Sequence, residues 1–215
     1  MEDIDFDHGR LIDSLVKSGY LRSPEIISAM KAEDRRWFLP EEQQPFAYED
    51  KPLSIGFDQT ASQPLVMAFM MELLMAKKGD RVLDVGTGSG WQTAVLARLV
   101  GDEGKVVTVE RIPELYAFAK DNLDRSGHIS EGIIDCILGD ASSYSGPEKV
   151  FDRIIATAEA EEVPSSWKSI LAVGGRMVIP VKGSLLVVDK VSADSFESKE
   201  YIGFGFVPLI VGKKK

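Results

Sequence analysis

Residues 81–92, Arg-Val-Leu-Asp-Val-Gly-Thr-Gly-Ser-Gly-Trp-Gln, constrain the fold more than any other stretch of the chain. Val82, Leu83 and Val85 form a short apolar run of the kind buried in a parallel sheet. The run ends in Gly86, Gly88 and Gly90, and residues 91–100 continue with helical spacing. Strand, glycine turn and helix are the first half of a βαβ unit. The glycines let the backbone turn sharply and let a ligand lie against bare main chain. A dinucleotide fingerprint carries its third glycine one residue later, inside the helix. Here Thr87 and Ser89 alternate with the glycines, and Asp84 stands two residues before the first. A purely structural turn and a different nucleotide both remain open at this point.

With 215 residues, the chain is long enough to bury a sizeable core in one α/β fold. A formal net charge of −9 argues against a nucleic-acid-binding surface. No apolar run approaches the ~20 residues of a membrane span. The acidic start Met1-Glu2-Asp3-Ile4-Asp5 has neither the basic nor the apolar segment of a signal peptide. Cys136, the single cysteine, cannot pair within the chain and reads as a buried thiol in an apolar run. No metal site is expected. Together these features predict a cytoplasmic protein without nucleic-acid or membrane partners, its Lys213-Lys214-Lys215 tail solvated, and a monomer is the expected state.

Two helices are expected before residue 36. Residues 8–17 align Leu11, Ile12, Leu15 and Val16, and Ser23-Pro24-Glu25 opens a second helix with Ile26, Ile27 and Met30 on its apolar face. His8, near a helix start, and His128, in a loop after a helix, read as surface residues. Residues 37–63 differ in kind. Pro40, Pro45, Pro52 and Gly56 break any long helix, yet Trp37, Phe38, Phe46, Tyr48 and Phe57 are too many aromatics for a flexible linker. A long loop without secondary structure of its own is expected there, and such loops are usually functional. Asp58-Gln59-Thr60-Ala61-Ser62-Gln63 closes it, and Ser62 or Gln63 is placed to cap an apolar helix over residues 64–75.

From residue 81 strands and helices alternate, which predicts a doubly wound, mostly parallel sheet. The strands fall at 82–85, 106–109, 133–138, 152–156 and 176–180, and the helices at 91–100, 113–126 and 164–171. Residues 184–191 and 195–206 read as a hairpin adding two antiparallel edge strands, seven strands in all. Residues 1–63 form a helical and loop extension, and 64–215 the core, packed as one domain. Asp84, Glu110 and Asp140 end three successive strands. Each acid alone is more often a helix cap. Three of them together form a constellation, because ligands of open α/β sheets bind outside the strands' carboxyl ends. Glu110 sits where a ribose-binding acid belongs, and a carboxylate at Asp140 suits an exocyclic amine.

An acid followed by x-G-x-G-x-G resembles the glycine-rich loop of S-adenosylmethionine-dependent methyltransferases. The more specific resemblance rests on Tyr48-Glu49-Asp50-Lys51-Pro52-Leu53-Ser54-Ile55-Gly56, Gln59-Thr60-Ala61-Ser62-Gln63-Pro64, Val163-Pro164, Gly174-Gly175-Arg176 and Phe206-Val207-Pro208-Leu209. From about Arg36 to Leu209 these resemble, in order, the protein-L-isoaspartate O-methyltransferase family. The resemblance implies a class I methyltransferase fold and methyl transfer from S-adenosyl-L-methionine to the α-carboxylate of isoaspartyl residues in peptides and proteins. It implies Ser62 as the active-site serine, with Thr60 beside it. It further implies a cofactor site of Asp84, Gly86, Thr87, Gly88, Ser89, Gly90, Glu110, Arg111, Asp140, Ala141 and Thr157. Asp84 would meet the methionyl amino group, directly or through water. Phe206–Leu209 would fold over the peptide cleft. The chain departs from the family at Ala61, Asp58, Glu159, Glu161 and Glu162, and inward-pointing acids would repel a carboxylate acceptor. A methyltransferase on another acceptor, or a non-catalytic cofactor-binding protein, are the alternative readings.

Overall fold

The structure, a computed structural model, describes residues 2–144, 150–210 and 212, with side chains from residue 7 on. The tail at 213–215 lies outside the described residues. Two helices, α1 (Glu2–Lys17) and α2 (Pro24–Ala32), lead into two short 3-10 turns, Arg35–Phe38 and Glu41–Phe46. A small antiparallel hairpin follows, β1 (Leu53–Gly56) and β2 (Gln59–Ala61), then helix α3 (Pro64–Leu74). The core continues as β3 (Arg81–Val85), α4 (Trp91–Val100), β4 (Lys105–Glu110), α5 (Pro113–Arg125), β5 (Ile134–Leu138) and β6 (Phe151–Ala156). Next come β7 (Ala158–Glu159), α6 (Ser165–Ile170), β8 (Leu171–Val181), β9 (Ser184–Lys190), β10 (Phe196–Ile202) and β11 (Val207–Pro208).

The main sheet has seven strands in the order β10-β9-β8-β6-β3-β4-β5. Its centre is parallel, and β8, β9 and β10 pair antiparallel at one edge. The chain runs outward from β3 to β5 and then returns to β6 on the other side of β3. That reversal opens a crevice at the carboxyl ends of β3 and β6, where ligands of such sheets bind. Alternation along the strands divides the core into two layers. Val82, Val106, Ile155 and Val178 join one apolar cluster with α2, α3 and α4. Leu83, Val107, Ile154 and Met177 join another with Trp167 of α6. Ile12, Leu21, Met30 and Phe38 belong to the first cluster, so the N-terminal helices share the core of the sheet. Among the described residues no helix is long and apolar enough to cross a membrane.

Five local expectations are corrected. His8 is buried (6 % exposed), its Nε2 3.0 Å from the Met30 carbonyl. His128 is buried too (3 %), its Nε2 3.0 Å from Glu33 Oε1, which also accepts from Arg98 Nε at 2.6 Å. Cys136 is only half-buried, although burial still pushes its thiol up to about 11. The stretch 37–63 is built rather than structureless, because Leu53, Ile55 and Ala61 of its hairpin pack with Leu39, Ala47, Ile112 and Leu115. At its tip Phe57 and Asp58 both have φ near +55°, the left-handed pair that a two-residue hairpin turn requires. Neither Ser62 nor Gln63 caps α3. Asp50 does, with Oδ1 accepting the Leu65 N–H at 2.8 Å and Oδ2 the Gln63 amide at 3.1 Å.

Candidate active site

Three adjoining cavities occupy the crevice. The first, ≈ 610 Å³, is walled by Gly86, Gly88, Glu110, Arg111, Asp140, Ala141 and Thr157, with Val207, Leu209 and Ile210 across from them. The second is an open groove between Pro52, Ser62, Gln63 and Val66 on one side and the segment Gly205 to Pro208 on the other. The third, ≈ 350 Å³, lies between Ser62 and the glycine loop, with Ser89, Trp91 and Gln92 in its wall. Thr60 and Thr157 line all three.

The glycine loop is shaped by need. Gly86 has φ +87°, and a Cβ there would stand 3.1 Å from Thr157 Oγ1, which donates to the Gly86 carbonyl at 3.1 Å. Gly90 has φ +89°, and a Cβ there would press on Leu123 of α5 at 3.1 Å. Glu110 is buried at the end of β4. Its Oε2 accepts the Gly88 N–H at 3.0 Å, and its Oε1 accepts the N–H groups of Arg111 and Ile112 at 2.8 and 2.9 Å. Glu110 therefore fixes the loop and also faces the first cavity. Thr87 points back into the sheet, its hydroxyl 2.7 Å from that of Thr108. Ser89 is buried, and its carbonyl accepts from Asn122 at 2.8 Å.

Asp84 lies beneath this loop and walls none of the three cavities. It shares a face of β3 with Val82, opposite Thr108 in register, and α4 covers that face. It is fully buried, and its oxygens accept from Thr93 Oγ1 at 2.6 Å, Gln92 Nε2 at 2.8 Å and Thr108 Oγ1 at 3.1 Å. Desolvation raises its pKa from 3.8 to about 6 against these three hydrogen bonds. Its protein neighbours thus engage both Asp84 oxygens. At Asp140, hydrogen bonds outweigh burial, which pushes the other way, and hold the carboxyl below its usual range. Oδ1 accepts the Ser142 N–H at 2.9 Å and Oδ2 the Gly212 N–H at 2.7 Å. Arg111 donates to the carbonyls of Ile210 and Gly212, so this segment is strapped along the first cavity.

The opposite wall hangs on a residue that sequence reasoning passed over. Arg35 is completely buried. Its Nη1 donates to the carbonyls of Ala47 and Glu49 at 3.0 and 3.1 Å, and its Nη2 to those of Lys51 and Ser62, both at 3.0 Å. Its guanidinium lies over the Trp91 ring at 5.5 Å, and burial lowers its pKa to about 10. Ser62 is thus held by its main chain at the junction of the second and third cavities. Val207 and Pro208 pair with Ala158 and Glu159, and the Leu209 N–H donates to the Glu159 carbonyl at 2.7 Å, which sets Phe206, Val207 and Pro208 along the groove and Leu209 along the first cavity. The four extra acids stay out of the three cavities. Asp58, Glu161 and Glu162 are exposed, and Glu159 Oε2 accepts the Gly183 N–H at 3.1 Å. Gln92 was also missed. Two polar residues, Gln92 and Thr93, opening a helix that is otherwise apolar but for Arg98 were its only signal.

The protein-L-isoaspartate(D-aspartate) O-methyltransferase family model matches residues 7–214. Protein-L-isoaspartate O-methyltransferase of Methanopyrus kandleri is 42% identical over 205 residues, covering 94% of this chain and 90% of that protein. That of Staphylothermus marinus is 44% identical over 210 residues, covering 94% and 92%. Among solved structures, a Plasmodium falciparum protein-L-isoaspartate O-methyltransferase in complex with S-adenosyl-L-homocysteine aligns with a TM-score of 0.85 at 25% identity, over 94% of this chain and 98% of that one.

Proposed function

The chain belongs to the protein-L-isoaspartate(D-aspartate) O-methyltransferase family, and from that premise we propose that it methylates the α-carboxylate of L-isoaspartyl residues in damaged proteins, a repair step. The donor is S-adenosyl-L-methionine and the by-product S-adenosyl-L-homocysteine. One observation carries the reading: the cavity of the glycine loop and the groove beside Ser62 share Thr60 and Thr157 as common walls. A donor in one and an acceptor in the other would meet there.

The residues present fit the cofactor. Gly86 and Gly88 present bare main chain to the first cavity. Glu110 would hold the ribose, Asp140 and Ala141 the adenine, and Arg111 the rim. Gly86, Thr87, Gly88, Ser89 and Gly90 would enclose the methionyl side, with Asp84 beneath and Thr157 at the junction. When bound, the cofactor supplies a methyl group on a sulfonium, an electrophile with a neutral leaving group. The acceptor carboxylate is already ionised at neutral pH, so the chain has no proton to remove. Ser62, with Thr60 beside it, donates a hydrogen bond that orients the acceptor's oxygens. Val66, Phe206 and Val207 exclude water from the groove. Holding the partners in line is worth up to ~7–11 kcal/mol. The acceptor is an isoaspartyl peptide or protein, the enzyme a cytoplasmic monomer, and nucleic acid and membrane play no part.

The test is transfer of labelled methyl to an isoaspartyl peptide and its aspartyl control. Label on the first alone is expected; cofactor binding with no label on either would mean a different acceptor. Ser62→Ala should lower turnover about 10- to 100-fold, the worth of one hydrogen bond to a charged group, with S-adenosyl-L-homocysteine affinity unchanged. Undiminished turnover would remove Ser62 from the mechanism.

A further inference from the structure

Gln92 carries the least explained polar atom in the walls of the site. The side chain is nine-tenths buried, its Nε2 donates to Asp84 Oδ1 at 2.8 Å, and its Oε1 has no hydrogen-bond partner among the described residues. A buried carbonyl oxygen left without a donor is costly, so such an atom calls for an explanation. The amide cannot turn over to relieve it. A flip would set Oε1 against an ionised carboxylate that only accepts. Gln92, unlike Asp84, is part of a cavity wall, facing the same space as Ser62 and Ser89.

We propose that Gln92 Oε1 accepts a hydrogen bond from the α-ammonium group of the cofactor's methionyl end, with Asp84 acting through the Gln92 amide rather than by contact. A carbonyl oxygen repels the methionyl carboxylate and the ribose needs no such pairing here, because Glu110 already walls the first cavity. The charge agrees as well. The three groups donating to Asp84, from Gln92, Thr93 and Thr108, are all neutral, so the buried carboxylate favours a cation arriving behind Gln92. This assignment rests on the cofactor proposed above and gives Gln92 a binding role, and Asp84 a positioning one.

The experiment is a cycle of two ligands and two proteins, read by calorimetry. The ligands are S-adenosyl-L-homocysteine and its analogue with hydrogen in place of the α-amino group; the proteins are wild type and Gln92→Leu. Wild type should bind the deamino analogue at least tenfold more weakly than S-adenosyl-L-homocysteine. Gln92→Leu should lose tenfold or more toward S-adenosyl-L-homocysteine and less than twofold toward the analogue. Equal losses for both ligands would overturn the assignment. Should Gln92→Leu not fold, Gln92→Met, closer in length, takes its place with the same expected ratio. Failure of S-adenosyl-L-homocysteine to bind wild type would instead sink the cofactor reading, and this assignment with it.

Discussion

On the glycine-loop side of the cleft the wall is main chain carried by the sheet itself, each loop following directly from a paired strand. On the hairpin side the wall is residues 47–62, which pair with no strand of the main sheet and depend on one buried guanidinium and one carboxylate, Arg35 and Asp50. The first wall gains its precision from ladder hydrogen bonds between neighbouring strands. The second gains it from side chains that reach across sequence to carbonyls and N–H groups. A sheet-borne wall should therefore survive single substitutions that dismantle the other.

The largest effect is expected at Arg35. Arg35→Met leaves four carbonyls without their donor and should cost on the order of 3–5 kcal/mol in urea unfolding. In the folded fraction, methyl transfer should fall much further than S-adenosyl-L-homocysteine affinity. Equal falls in both would erase the distinction between the walls. The next effect belongs to the sheet side. Asp84 titrates near 6 in the free protein because burial raises it, and a cationic ligand lowers a neighbouring carboxyl's pKa. Cofactor affinity is then full above pH 6 and falls, by up to about tenfold per unit, as pH drops below 6. S-adenosyl-L-homocysteine titrations from pH 5 to 8 check this, with Asp84→Asn expected to be flat. Asp50→Ala should cost about 1 kcal/mol as a lost helix cap, raising KM for the peptide and sparing cofactor affinity. Smallest is Phe57→Asn, which eases a left-handed residue at the hairpin tip. A gain of about 0.5–1 kcal/mol is expected from the lower strain, seen as a higher Tm with unchanged ligand binding.

The same division governs what could be read from sequence. The strand at Val82–Val85, the glycine turn and the helix from Trp91 were legible because a short apolar run, a turn signal and helical spacing follow one another within twenty residues. The position of Asp84 was legible too, but not its seclusion, since that depends on Thr108 standing opposite it in β4. His8 and His128 were misread as surface residues because a lone histidine carries no periodic signal. What buries them is distant, the Met30 carbonyl and Glu33. Arg35 was invisible for a deeper reason: its partners are backbone carbonyls, which every residue possesses and no pattern marks. The hairpin at residues 53–61 was hidden because its turn, Phe57-Asp58, lacks the asparagine or glycine that announces such turns.

The single cysteine gives the bracing by Arg35 a further meaning. A disulfide closing a loop of ~15 residues would contribute about 3 kcal/mol by restricting the unfolded chain, but Cys136 has no mate with which to form one. The guanidinium instead staples Ala47, Glu49, Lys51 and Ser62 together in the folded state without a covalent bond. A staple of this kind needs no oxidant to set it, and no reductant can cut it. The geometry around Ser62 is accordingly indifferent to the thiol–disulfide balance of its surroundings.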